Sequence, residues 1–223
     1  DPASYPGDET TVEVKETHFS YVFLTRRHVY KLKKPVRNGA FDFRSIAARH
    51  RNSLAEVRLN RRLSSGIYLG VVPLCRDGRG LLRLGNGGEP VDWLVRMVRL
   101  DSDSMLDRRL AAGNWRYAEL EALAHRLAGF FATARLVRIS GVAYTCGLHR
   151  ELDHALAVLE EANSPGLRHA FAVLIRRLRA FVVRRRELFF EARAAQGRIV
   201  DGHGDLRPEH IHLSGSPQII ACL

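Results

Sequence analysis

From Thr11 to Leu24 the chain reads TVEVKETHFSYVFL, β-branched and aromatic residues in partial alternation with polar ones, which predicts a strand. After a turn at TRRH the alternation resumes in HVYKLKK, with Val29, Lys31 and Lys33 on one side and Tyr30, Leu32 and Lys34 on the other. Pro35 and Gly39 end that run. Arg44 to Ser65 holds no Pro or Gly and is rich in Ala, Leu, Arg and Glu, so it predicts a helix closed by Gly66 as its C′ residue. GVVPLCR, GLLRLG and PVDWLVRMVRL predict three further strands, separated by the turn signals DGRG and GNGG, the latter read as a hairpin.

Past Asp101–Ser104 the period changes from two to three or four. Ser104–Ala112 and Trp115–Ala134 predict helices, the second with Leu120, Leu123, Leu127 and Phe130/Phe131 on one face. Further helices are expected over His149–Ala162, broken at NSPG, and over Leu167–Ala195, ended by Gly197. Short strands RIVDG, HIHL and QIIACL follow. The domain reading is a lead-in over 1–10, a strand-rich lobe over 11–100 and a mainly helical lobe over 101–223.

Composition narrows the class. A hydrophobic fraction of 46% supports a buried core, and no apolar run approaches the roughly 20 residues that cross a bilayer. The chain is expected to be soluble, without a signal peptide. It begins without Met, on DPASYPGDET, which suggests a piece of a longer polypeptide. Three dispersed cysteines, Cys75, Cys146 and Cys222, argue against a disulfide framework or a zinc site and suggest a reducing, cytoplasmic setting. The net charge is +11. Its densest stretch, Arg26 to Arg62, sets twelve Lys and Arg against Asp42 and Glu56 alone. Such a surface attracts phosphate-bearing partners, or is simply an Arg-rich solvated face. RRLRAFVVRRRELFF interleaves bases with aromatics, but its apolar positions keep helical spacing, so a helix with a basic outer face is favoured over nucleic-acid binding.

The chemistry concentrates in DGHGDLRPEHIHL, Asp201 to Leu213. A turn at Gly202 and Gly204 can present Asp205 at a strand end, where a carboxylate can accept or orient a hydroxyl proton. His203 and Arg207 pack or pair around it, and His210 opens the next short strand; a self-paired polar loop is the alternative. A lysine facing inward from a strand needs an anion. The candidate pair is Lys31 with Glu56, although Lys33 shares the face of Lys31.

A strand lysine, a glutamate on the next helix and a late H-G-D-L loop resemble the protein-kinase-like fold, in its aminoglycoside-phosphotransferase-like branch. More narrowly, ETHFSYVFL, VYKLKKPV, FDF, LNRRL, YLGVVPL, VRM, HGDLRPEH and IIAC resemble the uncharacterised bacterial phosphotransferase-like proteins often fused to a P-loop ATPase domain. The resemblance implies an α+β, protein-kinase-like bilobal fold: an antiparallel-sheet N-lobe with one helix, and a mainly helical C-lobe truncated at Leu223. It implies an ATP-dependent phosphotransferase acting on a small-molecule hydroxyl, with ATP and Mg²⁺ as cofactors and a fused or partner P-loop ATPase domain. Lys31 would hold the α- and β-phosphates, oriented by Glu56. Arg96, Met97 and Val98 would lead into a hinge beside the adenine, Asp205 would be the catalytic acid or base, and His210 stands where relatives carry a metal-binding Asn.

Three departures qualify this. No Gly-rich loop joins the first strands; THFS stands there, so phosphate contacts would fall to the Thr17 and Ser20 hydroxyls, or the segment is a plain turn. His210 is a poor Mg²⁺ ligand, because that ion prefers oxygen, and the alternative is a hydrogen bond to Asp205 or to a phosphate. Ala221 replaces the metal-binding Asp of the I-I-D-C pattern, which favours as the alternative a pseudokinase-type nucleotide-binding or regulatory module.

Overall fold

The computed structural model describes residues 1–7, 9–38, 41–160 and 165–222. It divides into two compact units, residues 1–130 with 203–223, and residues 131–202.

The first unit is built on a six-stranded antiparallel sheet in the order β1-β2-β3-β8-β6-β7. Its strands are β1 (Glu13–Glu16), β2 (Ser20–Leu24), β3 (His28–Lys33), β6 (Tyr68–Arg76), β7 (Leu82–Leu84) and β8 (Glu89–Val98), while β4 (Arg37–Asn38) and β5 (Phe41–Asp42) form a separate pair. The strand expected over Thr11–Leu24 is two strands. Thr17 interrupts it: its hydroxyl donates to the Ser20 carbonyl and accepts from the Ser20 N–H, both at 3.0 Å, closing a tight turn. DGRG closes the β6–β7 hairpin, with the Asp77 carboxylate accepting from the Arg79 and Leu81 N–H groups. GNGG is not a hairpin: β7 pairs only with β6, so Gly85–Gly88 carries the chain across to β8 on the far side of β6.

The helix α1 (Ile46–Asn60) starts where Ser45 caps it, accepting from the Ala48 N–H at 3.2 Å. It stops five residues before the expected end: Arg61 is its C-cap, and in the turn that follows the Leu63 N–H and the Ser64 N–H and hydroxyl donate to the Asn60 carbonyl. Gly66 is therefore not its C′ residue; it takes φ +73° in the turn before β6. The buried residues of α1 are Arg49, Ser53, Glu56, Val57 and Asn60, four of them polar. This helix docks by hydrogen bonds and ion pairs, with only Val57 joining the apolar cluster of Tyr68 and Val95 on the sheet.

A second cluster joins Leu63 and Leu106 of α2 (Leu106–Ala111) to Leu123 of α3 (Tyr117–Thr133). Ile211 and Leu213 in and after β9 (Ile211–His212), and Ile219 of β10 (Gln218–Ile219), complete it. The expected face of α3 is the one used as far as Phe130: Leu120, Leu127 and Phe130 pack against this cluster, whereas Phe131 is exposed.

In the second unit α4 (Gly141–Glu160) begins eight residues earlier than expected, capped by the Ser140 hydroxyl, which accepts from the Ala143 N–H at 3.1 Å. Gly141 is obligatory, since a Cβ there would sit 2.6 Å from the Glu191 side chain. The single helix expected over Leu167–Ala195 is α5 (Pro165–Arg184), a π-helical segment Arg186–Glu191 and α6 (Ala192–Ala195). The break lets Phe190 turn into a nest of the Phe181, Phe189 and Tyr144 rings. Much of the NSPG break lies outside the described residues, and RIVDG forms only a bridge from Val200 to Leu136. No described helix is long and apolar enough to cross a membrane.

Candidate functional site

The first unit contains a cavity of about 520 Å³, within the size range of small-ligand sites. Strand alternation arranges one wall. Leu24 pairs with Val29, Val22 with Lys31 and Ser20 with Lys33, and all six side chains line the cavity. Val29 also pairs with Met97 across β8. The wall therefore runs from an apolar row at Leu24, Val29 and Met97 to a polar row at Ser20 and Lys33. A rise of about 3.3 Å per residue places Lys31 roughly 7 Å and Lys33 roughly 13 Å from the Val29 row. Ile67 and Leu100 extend the apolar end.

At the polar end α1 delivers Glu56. Its Oε1 lies 3.0 Å from the Lys31 Nζ and its Oε2 2.5 Å from the Lys33 Nζ, so one carboxylate holds two lysines. Burial alone would raise the Glu56 pKa, but the two ammonium groups outweigh it and hold the carboxyl below its usual range. Burial pushes Lys33 below the ordinary lysine range, against the opposing pull of Glu56. Lys33 is also covered by the Phe43 ring, 5.7 Å from its centroid. The two lysines differ in access. The Lys31 side chain is 25% exposed and that of Lys33 10%. Lys31 thus presents the more accessible ammonium group to the cavity, with Lys33 more deeply buried. The Thr17 hydroxyl is consumed by its turn, whereas the buried Ser20 hydroxyl has no hydrogen-bond partner among the described residues.

The opposite wall is the Asp205 loop. Gly204 takes φ +89° and makes the turn that an L side chain would resist. His203 is buried, accepts from the Asp205 N–H through Nδ1 at 3.2 Å and donates from Nε2 to the Ile220 carbonyl at 2.9 Å. Its neutral tautomer is thereby fixed, and burial keeps its pKa below the ordinary histidine value. His210 donates from Nδ1 to the Asp205 carbonyl at 2.6 Å, leaving Nε2 to accept from Arg207 at 3.2 Å. The Asp205 carboxylate faces the cavity beside Arg207, whose Nε is 3.2 Å away. A carboxylate so placed can accept or orient a hydroxyl proton, and the adjacent guanidinium can receive phosphate charge.

The floor between these walls is the strap Ile220–Cys222, whose significance sequence reasoning caught only through Ala221. Ile220 N–H donates to the His210 carbonyl, Ala221 N–H to the Tyr68 hydroxyl and Cys222 N–H to the Asn60 Oδ1. Asn60 Nδ2 returns a bond to the Cys222 carbonyl at 3.2 Å. Held this way, Ala221 sits at φ +61°, a left-handed conformation that Asp and Asn tolerate better than Ala. Asn60 was missed in the sequence. Its signals are its place in LNRRL and its position four residues beyond Glu56 on the same helix face.

The Mg²⁺ ion implied by the family resemblance does not fit these residues. Position 221 offers a methyl group, and His210 spends Nδ1 on a carbonyl and faces a guanidinium with Nε2. Glu56 is engaged by two lysines, and no group of three or more His, Cys, Asp or Glu able to hold a metal occurs among the described residues. The expected metal role of His210 is replaced by an architectural one: it ties the Asp205 backbone to Arg207.

Three histidines are expected to give this unit a pH dependence: His28, whose pKa burial also lowers, and the two described next. His203 and His212 are both held below the ordinary histidine pKa by burial, and neither ring nitrogen of His212 has a partner among the described residues. Below pH 6.5 the unfolded chain binds protons that the folded chain refuses, so stability falls as pH drops. The urea midpoint is expected to decline between pH 6.5 and about 5, and His212→Leu to flatten the decline. Fluorescence of Trp93 and Trp115, both in the first unit, reads it directly; equal midpoints for the parent chain at both pH values would refute the assignment.

No protein-family model matches the sequence. Uncharacterised proteins of Mycobacterium tuberculosis (strain H37Rv) and Mycobacterium bovis are each 33% identical to it over 225 residues, covering 97% of this chain. The chain spans 42% of the length of those relatives. A solved glucosamine kinase, in complex with glucosamine, ADP and inorganic phosphate, is similar at 20% identity and a TM-score of 0.39, over 97% of this chain and 50% of its own.

Proposed function

We propose that this chain carries the nucleotide site of a kinase-type phosphotransferase, of the aminoglycoside-phosphotransferase-like kind. The observation that carries the reading is the graded cavity wall, which runs from Leu24, Val29 and Met97 to the Lys31–Glu56–Lys33 cluster. A nucleotide has the same polarity: a flat apolar base at one end and a polyanion at the other. The base would lie between Val29, Met97 and Ile67, and the phosphates against Lys31. Asp205 would face the hydroxyl of a small-molecule acceptor. In transfer, that hydroxyl oxygen bonds to the γ-phosphorus while the bond from phosphorus to the bridging oxygen breaks. The hydroxyl proton passes to Asp205 and ADP leaves, its new charge met by Lys31.

A second reading is favoured by Ala221: a module that binds nucleotide without turning it over. The strap at 220–222 holds a strained backbone, as functional sites do, yet presents only a methyl group there.

Both readings are tested by thermal shift with ATP. ATP is expected to raise the melting temperature, and Lys31→Met to abolish the rise while leaving the apo melting temperature nearly unchanged. No shift with ATP or ADP would reject both readings. ADP release measured for Ala221→Asp separates them: turnover lost again on adding Asp205→Asn supports the transferase, and its absence supports the binding module.

A further inference from the structure

The polar end of the cavity is organised as an anion site complete in itself. Lys31 and Lys33 each have three ammonium donors, and each is seen to place one on Glu56. Arg207 adds a third cation across the cavity. Within the lining these three stand against Glu56 and Asp205, and just outside it Glu209 also pairs with Arg207, its Oε1 2.8 Å from Nη1, so the local positive excess lies with the two lysines that share Glu56. Ser20 strengthens the point. It is 1% exposed, lines the cavity at the Lys33 row, and its hydroxyl is satisfied by nothing among the described residues. A buried hydroxyl without a partner is unfavourable unless something enters to meet it. A phosphate oxygen beside Lys33 meets it.

The same walls offer a divalent cation little. Asp205 is the one carboxylate in the cavity without two lysines on it, and the Arg207 guanidinium lies 3.2 Å from it. A metal drawn to that oxygen would meet a positive charge already there.

We propose, building on the nucleotide reading above, that the cavity takes the polyphosphate of a nucleoside di- or triphosphate free of divalent metal, with Lys31, Lys33 and Arg207 supplying the countercharge. The ligand class is thus the bare nucleotide polyanion. The nucleotide is held by fixed protein cations where a metal-dependent site would share its phosphates between the protein and an ion.

The test is titration calorimetry of the whole chain with ATP and with ADP, each in EDTA and in MgCl₂. The affinities in EDTA and in Mg²⁺ are expected to agree within about threefold. Tightening by Mg²⁺ of about tenfold or more overturns the inference while leaving the nucleotide reading intact. No binding in either condition overturns both. Lys33→Met is expected to weaken binding in EDTA by about tenfold, with folding checked by tryptophan fluorescence. Should that variant prove unfolded, Ser20→Ala serves instead, with an expected loss of about fivefold. Unchanged affinity in a folded variant removes the closed end of the cavity from the site. Ala221→Asp is expected to introduce Mg²⁺ dependence that the parent chain lacks; if it does not, the donor-set argument is wrong.

Discussion

Replacing Glu56 by Leu is expected to cost the first unit roughly 3–5 kcal/mol, because it leaves Lys33 buried without its carboxylate. The side chains of Lys33 and Glu56 are only 10% and 8% exposed, so water cannot substitute for the lost partner. Lys31, with more access to solvent, loses less. The double variant Glu56→Leu with Lys33→Met should recover a large part of the loss, since removing both charges replaces an ion pair by apolar groups of similar volume. Urea unfolding followed by tryptophan fluorescence distinguishes the cases. Equal losses for the single and double variants would show that the cost arises from packing rather than from the stranded ammonium. The same variant is expected to lose ATP binding even where it remains folded, because Lys31 is then no longer held in place.

The second large effect is expected at Arg49, at the other end of α1. Its guanidinium forks onto Asp92 of β8, with Nε 3.0 Å from both carboxylate oxygens and Nη2 2.7 Å from Oδ2. Its Nη1 donates to the Phe43 and Arg44 carbonyls. Arg49→Met strands Asp92 and two carbonyls, at an expected cost of about 3–5 kcal/mol. Arg49→Lys should recover only a part, since a point charge cannot reproduce the fork. The measurement is the same unfolding midpoint. A Lys variant as stable as the parent would mean that charge alone, not geometry, secures the helix to the sheet.

The sequence revealed some of this and concealed the rest for physical reasons. Alternation in HVYKLKK was enough to put Lys31 and Lys33 on one face, and absence of Pro and Gly was enough to place a helix after them. The density of HGDLRPEH marked the loop, and the face of α3 was readable because it is apolar at helical spacing. The end of α1 was not readable, because residues 61–65 hold no Pro or Gly and leave the helix with no residue type that marks the stop. The strap at 220–222 was readable only as the motif IIAC with its Ala221; that Asn60 holds it was not, because Asn60 lies some 160 positions away in the chain. The break after Arg184 is set by the packing of Phe190 among other rings, and propensity alone continues the helix through it.

The polar inner stripe of α1 bears on how this helix can change over evolutionary time. Ordinary helices accept exchanges among Leu, Ile and Met on the inward side, because burial has no direction. Arg49, Glu56 and Asn60 are each held by bonds whose donors and acceptors are fixed in kind. Exchanges that substitution tables score as mild, such as Arg to Lys, Glu to Gln or Asn to Asp, are therefore costly on this helix. Similarity scores summed along it will understate which relatives keep the same site and which have lost it.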